Sequence, residues 1–143
     1  MINTFELKNI NFMAKESQLD FLCNEVLAFK NFGILFCNKG QAEININSKT
    51  HILSKNSLTL INPNSYVSIN NKTKDFNVFF LCFSDTIIMK SSVQTSHAFI
   101  DFTINNNNFT LNGDDSEVIF NFCKILLSIN NENNNDYKED NVI

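Results

Sequence analysis

"CNKGQAEININSKTHILSKNSLTLINPNSY", residues 37–66, alternates apolar and polar side chains in short runs separated by polar turns. In "QAEININ", Ala42, Ile44 and Ile46 fall on one side of an extended chain, and Glu43, Asn45 and Asn47 on the other. A period of two marks a strand with one face in a core and one in water. "NKG" at 38–40 predicts a hairpin turn with Gly40 at positive φ. "SKT" ahead of "HIL" and "SKN" ahead of "SLTLI" predict two further turns. Pro63 in "NPNS" fixes φ and offers no N–H to a central strand, so the chain turns there before "YVSI". Strands this short and closely spaced predict an antiparallel barrel or sandwich.

The flanks extend the pattern. "FNVFFLCFS" (76–84) is apolar on both faces, which predicts a strand covered on both sides. "FLCNEVLAFKNFGILFC" predicts a short strand near Phe21–Leu22 and another from about Phe32 to Cys37, and "MINTFELKNINFM" an arm or edge strand. After Ser84 the period changes. "SDTIIMKSSV" predicts a short helix capped by Ser84 or Asp85, "HAFIDFTI" extended or irregular chain, and "NNNNFTLN" a loop and a short strand. "GDDSEVIFNFCKILLSIN" predicts the best helix. Asp114, Asp115 and Glu117 stand in its first turn, where the helix dipole favours acids. "DYKEDNVI" predicts the start of another helix.

Apolar residues occupy two sides of the 114–130 helix. At 100° per residue, Val118, Ile119, Phe122, Ile125, Leu126 and Ile129 form one wide face, expected to dock on the barrel. Phe120 and Leu127 point nearly the opposite way, with Cys123 beside them. These three are expected to form a second seam for a partner helix, in a homodimer.

Composition excludes several functions. The chain has 143 residues, enough for one domain with a real core, and fifteen are phenylalanine. Its net charge is −4, and all eleven cations are lysines scattered along the sequence. Without a basic patch, the chain as it stands is not expected to bind DNA. Cys23, Cys37, Cys82 and Cys123 lie far apart with no short ligand spacing. They are expected to be free thiols, with Cys37–Cys82 as the pairing that neighbouring strands could allow. No glycine-rich phosphate loop or nucleophile elbow appears, and the close acid pairs sit at a helix start and in the tail. The sequence therefore predicts no enzyme and requires no cofactor. No signal peptide and no membrane-spanning stretch is visible, which predicts a cytoplasmic protein.

"FGILFCNKGQAEININSKTHILSKNSLTLINPNSYVSI", followed by "DFNVFFLCFSDTII", resembles the N-terminal cupin-like domain of AraC-family transcriptional regulators, in the form common in Bacteroides-type bacteria. The resemblance implies a mainly β fold: a cupin-like antiparallel barrel (double-stranded β-helix, or jelly roll) over 1–112, then C-terminal linker and dimerisation helices over 113–143. It implies a domain that senses a small effector, sugar-like or another metabolite, and forms a homodimer through the 114–130 helix. DNA would be read by a C-terminal helix-turn-helix domain expected beyond Ile143. Cupin enzymes show two histidines one residue apart and a glutamate a few residues on. Asn45 and Asn47 stand at the corresponding place, and His51 and His97 are far apart, so no metal site is expected. Tyr66 stands where the family often has a histidine, and Tyr66 and His51 are the candidates for contacting a ligand. Phe120, Cys123 and Leu127 are the candidates for the dimer seam. A stand-alone cupin enzyme (isomerase or dioxygenase) and a dimerisation module without ligand remain the alternatives.

Overall fold

The computed structural model describes residues 2–8, 10–84 and 108–133. The expected helix at 84–93, the extended chain at 97–104 with His97, and the final helix at 136–143 lie outside those residues, apart from Ser84. Ten strands follow in order: β1 Asn3–Phe5, β2 Phe12–Ser17, β3 Leu27–Phe29, β4 Phe32–Lys39, β5 Gln41–Ile46, β6 Lys49–Ser54, β7 Ser57–Ile61, β8 Ser65–Lys72, β9 Asn77–Phe83 and β10 Asn108–Thr110. Among the described residues one α-helix, α1, spans Gly113–Asn133. The strands form two five-stranded sheets, one ordered β1-β3-β8-β5-β6 and the other β10-β7-β4-β9-β2. Every pairing between them is antiparallel except β1 with β3. The fold is mainly β and cupin-like, with a helix at the C-terminal side.

Alternation builds the layer between the sheets. Ala42, Ile44 and Ile46 of β5 are all buried, as the sequence predicts, and face Val78, Phe80 and Cys82 of β9 within one core. Phe5, Phe29 and Phe80 fill its middle, with ring centroids 4.8 Å (Phe5–Phe29), 5.4 Å (Phe5–Phe80) and 6.0 Å (Phe29–Phe80) apart. These are ordinary spacings for aromatic pairs, so phenylalanine is both the filler and the contact between layers.

Gly40 marks a sheet-to-sheet corner, which corrects the expected hairpin. β4 already has β7 and β9 as neighbours, so it cannot also pair with β5, and the chain crosses to the other sheet. Gly40 does take positive φ, at 72°. A Cβ there would lie 2.5 Å from Thr73 Oγ1 and 2.6 Å from the Phe76 Cα, so only glycine fits. The true hairpin joins β5 to β6 through Asn47 (φ 51°) and Ser48 (φ 70°), one residue earlier than the "SKT" reading. Positive φ at both positions is the two-residue turn that matches strand twist. Asn56 and Asn64, also left-handed, close the next two connections.

Two other expectations are corrected. Phe21–Leu22 is no strand: Asp20–Leu22 forms a single 3-10 turn, entered through a left-handed Leu19 and closed by the Leu22 amide donating to the Leu19 carbonyl at 3.0 Å. The strand in that region is β3, whose three residues are all buried. Cys37 and Cys82 do not pair, because the β4–β9 register sets Cys82 opposite Gly33 and Cys37 opposite Val78. All four cysteines are free.

Candidate functional site

The outer face of the second sheet is where the helix acts. β9 is apolar on both sides: Val78, Phe80 and Cys82 enter the core, while Phe79 and Leu81 point outward with Ala14 of β2 and Phe36 of β4. α1 lies over this second apolar surface. Asn112 starts it, accepting the Asp115 amide at 2.8 Å on its side chain and the Ser116 amide at 2.8 Å on its carbonyl. That capping satisfies amides that the first turn leaves without helical partners. The expected acids of the first turn are present and exposed.

The helix docks by the face that the sequence reading had turned outward. Phe120, Cys123 and Leu127, expected at a dimer seam, pack with Ile119 and Leu126 onto Ala14, Phe36, Phe79 and Leu81. Cys123 is fully buried, and burial pushes its thiol pKa up to about 11. The Phe120 ring meets Phe79 edge-on at 5.5 Å, and Lys124 Nζ lies over the Phe120 ring, 5.2 Å from its centroid. Asn130, buried near the far end, accepts the Ala14 backbone amide on its side chain at 3.1 Å. Four residues expected to dock are instead exposed: Val118 at 66%, Phe122 at 49%, Ile125 at 58% and Ile129 at 41%. The reason is fit. Both faces are greasy, but only the Phe120 face brings a small cysteine to the centre and an amide acceptor to the β2 edge.

The exposed side chains repeat at steps of four, three and four residues, the spacing of a coiled-coil seam. A helix apolar on opposite sides has surface to bury on both.

The two ligand candidates separate. Tyr66 projects from the outer face of β8 and is half exposed, away from the core. His51 lies on the inward side of the edge strand β6, in the alternation that buries Leu53. Its Nε2 is buried with no hydrogen-bond partner among the described residues. Burial, helped by the charge of Lys49, lowers the His51 pKa from 6.5. The pair thus stands on opposite faces of one sheet. Among the described residues no three His, Cys, Asp or Glu side chains gather as metal ligands would.

Where the first turns of α1 leave the sheet, a pocket of about 380 Å³ opens. Phe36 and Phe120 form its apolar lining. Asn38 and Lys39 come from the end of β4, Lys55 and Asn56 from the β6–β7 turn, and Ser116 and Glu117 from the helix. Sequence reasoning missed it, because its walls come from three distant segments and no local motif marks them.

No protein-family model matches the sequence, and neither does any curated protein. Among solved structures, the apo form of a ToxT variant from Vibrio cholerae is similar over 84% of this chain and 49% of that one, at 12% identity and TM-score 0.52. The plu4264 protein from Photorhabdus luminescens is similar over 60% and 73%, at 18% identity and TM-score 0.42. The cupin domain of Cnp3 from Schizosaccharomyces pombe is similar over 60% and 65%, at 14% identity and TM-score 0.43. The chain spans about half the length of ToxT. The likeness to ToxT bears on the fold alone. No helix among the described residues is long and apolar enough to cross a membrane.

Proposed function

We propose that this chain is the effector-sensing and dimerisation part of a transcriptional regulator of the AraC type. The observation that carries the reading is the pairing of a cupin-like barrel with a helix whose free side bears Val118, Phe122, Ile125 and Ile129 at coiled-coil spacing. The likeness to ToxT supports the fold half of that pairing. The sequence resemblance supports the regulator half.

In this reading two copies meet through α1, seam against seam, in the cytoplasm. DNA is read by a helix-turn-helix unit elsewhere in the full protein, which accords with a net charge of −4 on this part. A small metabolite bound on the barrel shifts how α1 lies on the second sheet, and so how two such units are spaced. It can do so only by binding one arrangement more tightly than the other. The chain is a sensor and not a catalyst.

Light scattering tests the seam. The wild-type chain should be a dimer at micromolar concentration, and Phe122→Glu with Ile125→Glu should make it a folded monomer. Both side chains are exposed, so the change leaves the packed face intact. A monomeric wild type, or a dimer indifferent to the double substitution, would overturn the reading. Turnover of a small molecule by the purified chain with a stoichiometric metal would replace it with the enzyme alternative.

A further inference from the structure

The pocket beside the start of α1 has a chemistry of its own. Its lining joins two aromatic rings to the ammonium groups of Lys39 and Lys55. Neither lysine has an ion-pair partner among the described residues. Each stands on pinned backbone. The Lys39 carbonyl accepts the Cys37 thiol at 3.3 Å, and Gly40 next to it is held in the tight corner. Asn56, following Lys55, donates its amide to the Cys37 carbonyl at 2.8 Å and accepts the Leu111 amide at 3.0 Å. Two lysines are thereby rooted at the rim of one apolar surface, in a chain that is acidic as a whole. The volume lies within the range of small-molecule sites, which are largely apolar with a few fixed polar groups.

We propose that this pocket takes a small organic anion with a flat apolar body, an aromatic carboxylate being the simplest. The ring lies against Phe120, whose partly exposed face is the accessible aromatic surface of the lining, and the carboxylate faces Lys39 and Lys55. Glu117, the one carboxylate of the lining, favours ligands that carry a hydroxyl or amino donor on the ring edge and disfavours dianions. Because one wall is the helix itself, a bound ligand ties its first two turns to the β6–β7 turn. This deepens the sensing reading and borrows its purpose from it, but the binding chemistry stands on the pocket alone.

The test is an NMR titration of the isotope-labelled chain with 2-naphthoate and, in parallel, the neutral 2-naphthamide. The expected result is saturable shifts confined to the backbone of residues 38–40, 55–56 and 116–120, with Kd of about 0.1–1 mM for the carboxylate. Binding of the amide should be about fivefold weaker, and Lys39→Gln with Lys55→Gln should cost the carboxylate about the same factor. Both lysines are exposed, so the double variant should keep the wild-type spectrum elsewhere. Hydrogen exchange at Glu117–Phe120 should slow when the pocket is filled. No saturation at millimolar naphthoate, equal affinity for the amide, or an unaffected double variant would overturn the proposal. Light scattering on the same samples keeps the two claims apart. A monomer that binds naphthoate here ends the regulator reading and leaves the pocket standing, and a dimer that does not bind ends only the pocket.

Discussion

The outer faces of the two sheets contrast sharply. On the first sheet, outward side chains are polar or stand in water: Glu43 accepts the Asn71 amide at 3.0 Å, Asn45 reaches Thr50, and Tyr66 is half exposed. On the second, outward side chains are Ala14, Phe36, Phe79 and Leu81, buried under α1. Both sheets obey the same period of two. They differ in what fills the second register, and that choice decides which sheet receives the helix. Strand alternation thus specifies two layers, and one strand that does not alternate, β9, specifies the third.

Truncating one outward aromatic on each sheet should break this contrast if it is wrong. Phe79→Ala should cost about 3–5 kcal/mol in urea unfolding, since a buried ring leaves a cavity under α1. Tyr66→Ala should stay within about 0.5 kcal/mol. Comparable losses would mean that the helix contributes nothing that the solvated face lacks.

A smaller effect is expected from the polar clamp at the far end of α1. Asn130→Ala leaves the Ala14 amide buried without an acceptor and should cost about 1–3 kcal/mol. It should also speed thiol labelling of Cys123, which in the wild type is protected by complete burial and a pKa pushed up to about 11. Cys23, partly exposed, is the internal reference. Unchanged Cys123 labelling would show that Asn130 does not hold the helix down. At the other end, Asn112→Ala removes the cap of the first turn and should cost about 1 kcal/mol, read in the same urea titration.

The smallest effect is a pH dependence that belongs to the first sheet. His51 is held below its ordinary pKa of 6.5 by burial and by Lys49, so the unfolded chain binds the extra proton. Its contribution is complete above pH 6.5 and is lost as pH falls below that value. Thermal melts of wild type and His51→Gln between neutral pH and pH 5 should diverge on the acid side, the variant losing less. Parallel curves would remove His51 from the account.

Much of this architecture was legible. From Gln41 to Phe83, strands and turns follow from alternation, from Pro63, and from asparagines that accept left-handed backbone. The double-sided burial of β9 was visible in its composition alone. What local sequence could not say was partnership. Nothing in "NKG" tells that both edges of β4 are taken, so a corner looked like a hairpin. The three residues of β3 are too few to show a period. The faces of α1 were reversed because hydropathy ranks greasiness, whereas docking rewards a small Cys123, an edge-on Phe120 and an amide on Asn130. The pocket left no trace in sequence, since Lys39, Lys55 and Phe120 meet only after the sheet and helix have assembled.

The bond from the Ala14 amide to Asn130 also bears on solubility. Among the described residues β2 is an edge strand, and an outward N–H beside Phe79 and Leu81 would be a template for strand addition by another molecule. α1 occupies that amide through Asn130 and roofs the apolar strip of Ala14, Phe36, Phe79 and Leu81. Lifting the helix clear would uncover Phe36, Phe79 and Leu81 and free an edge amide at once, so a pivot or small slide of α1 costs far less than its release.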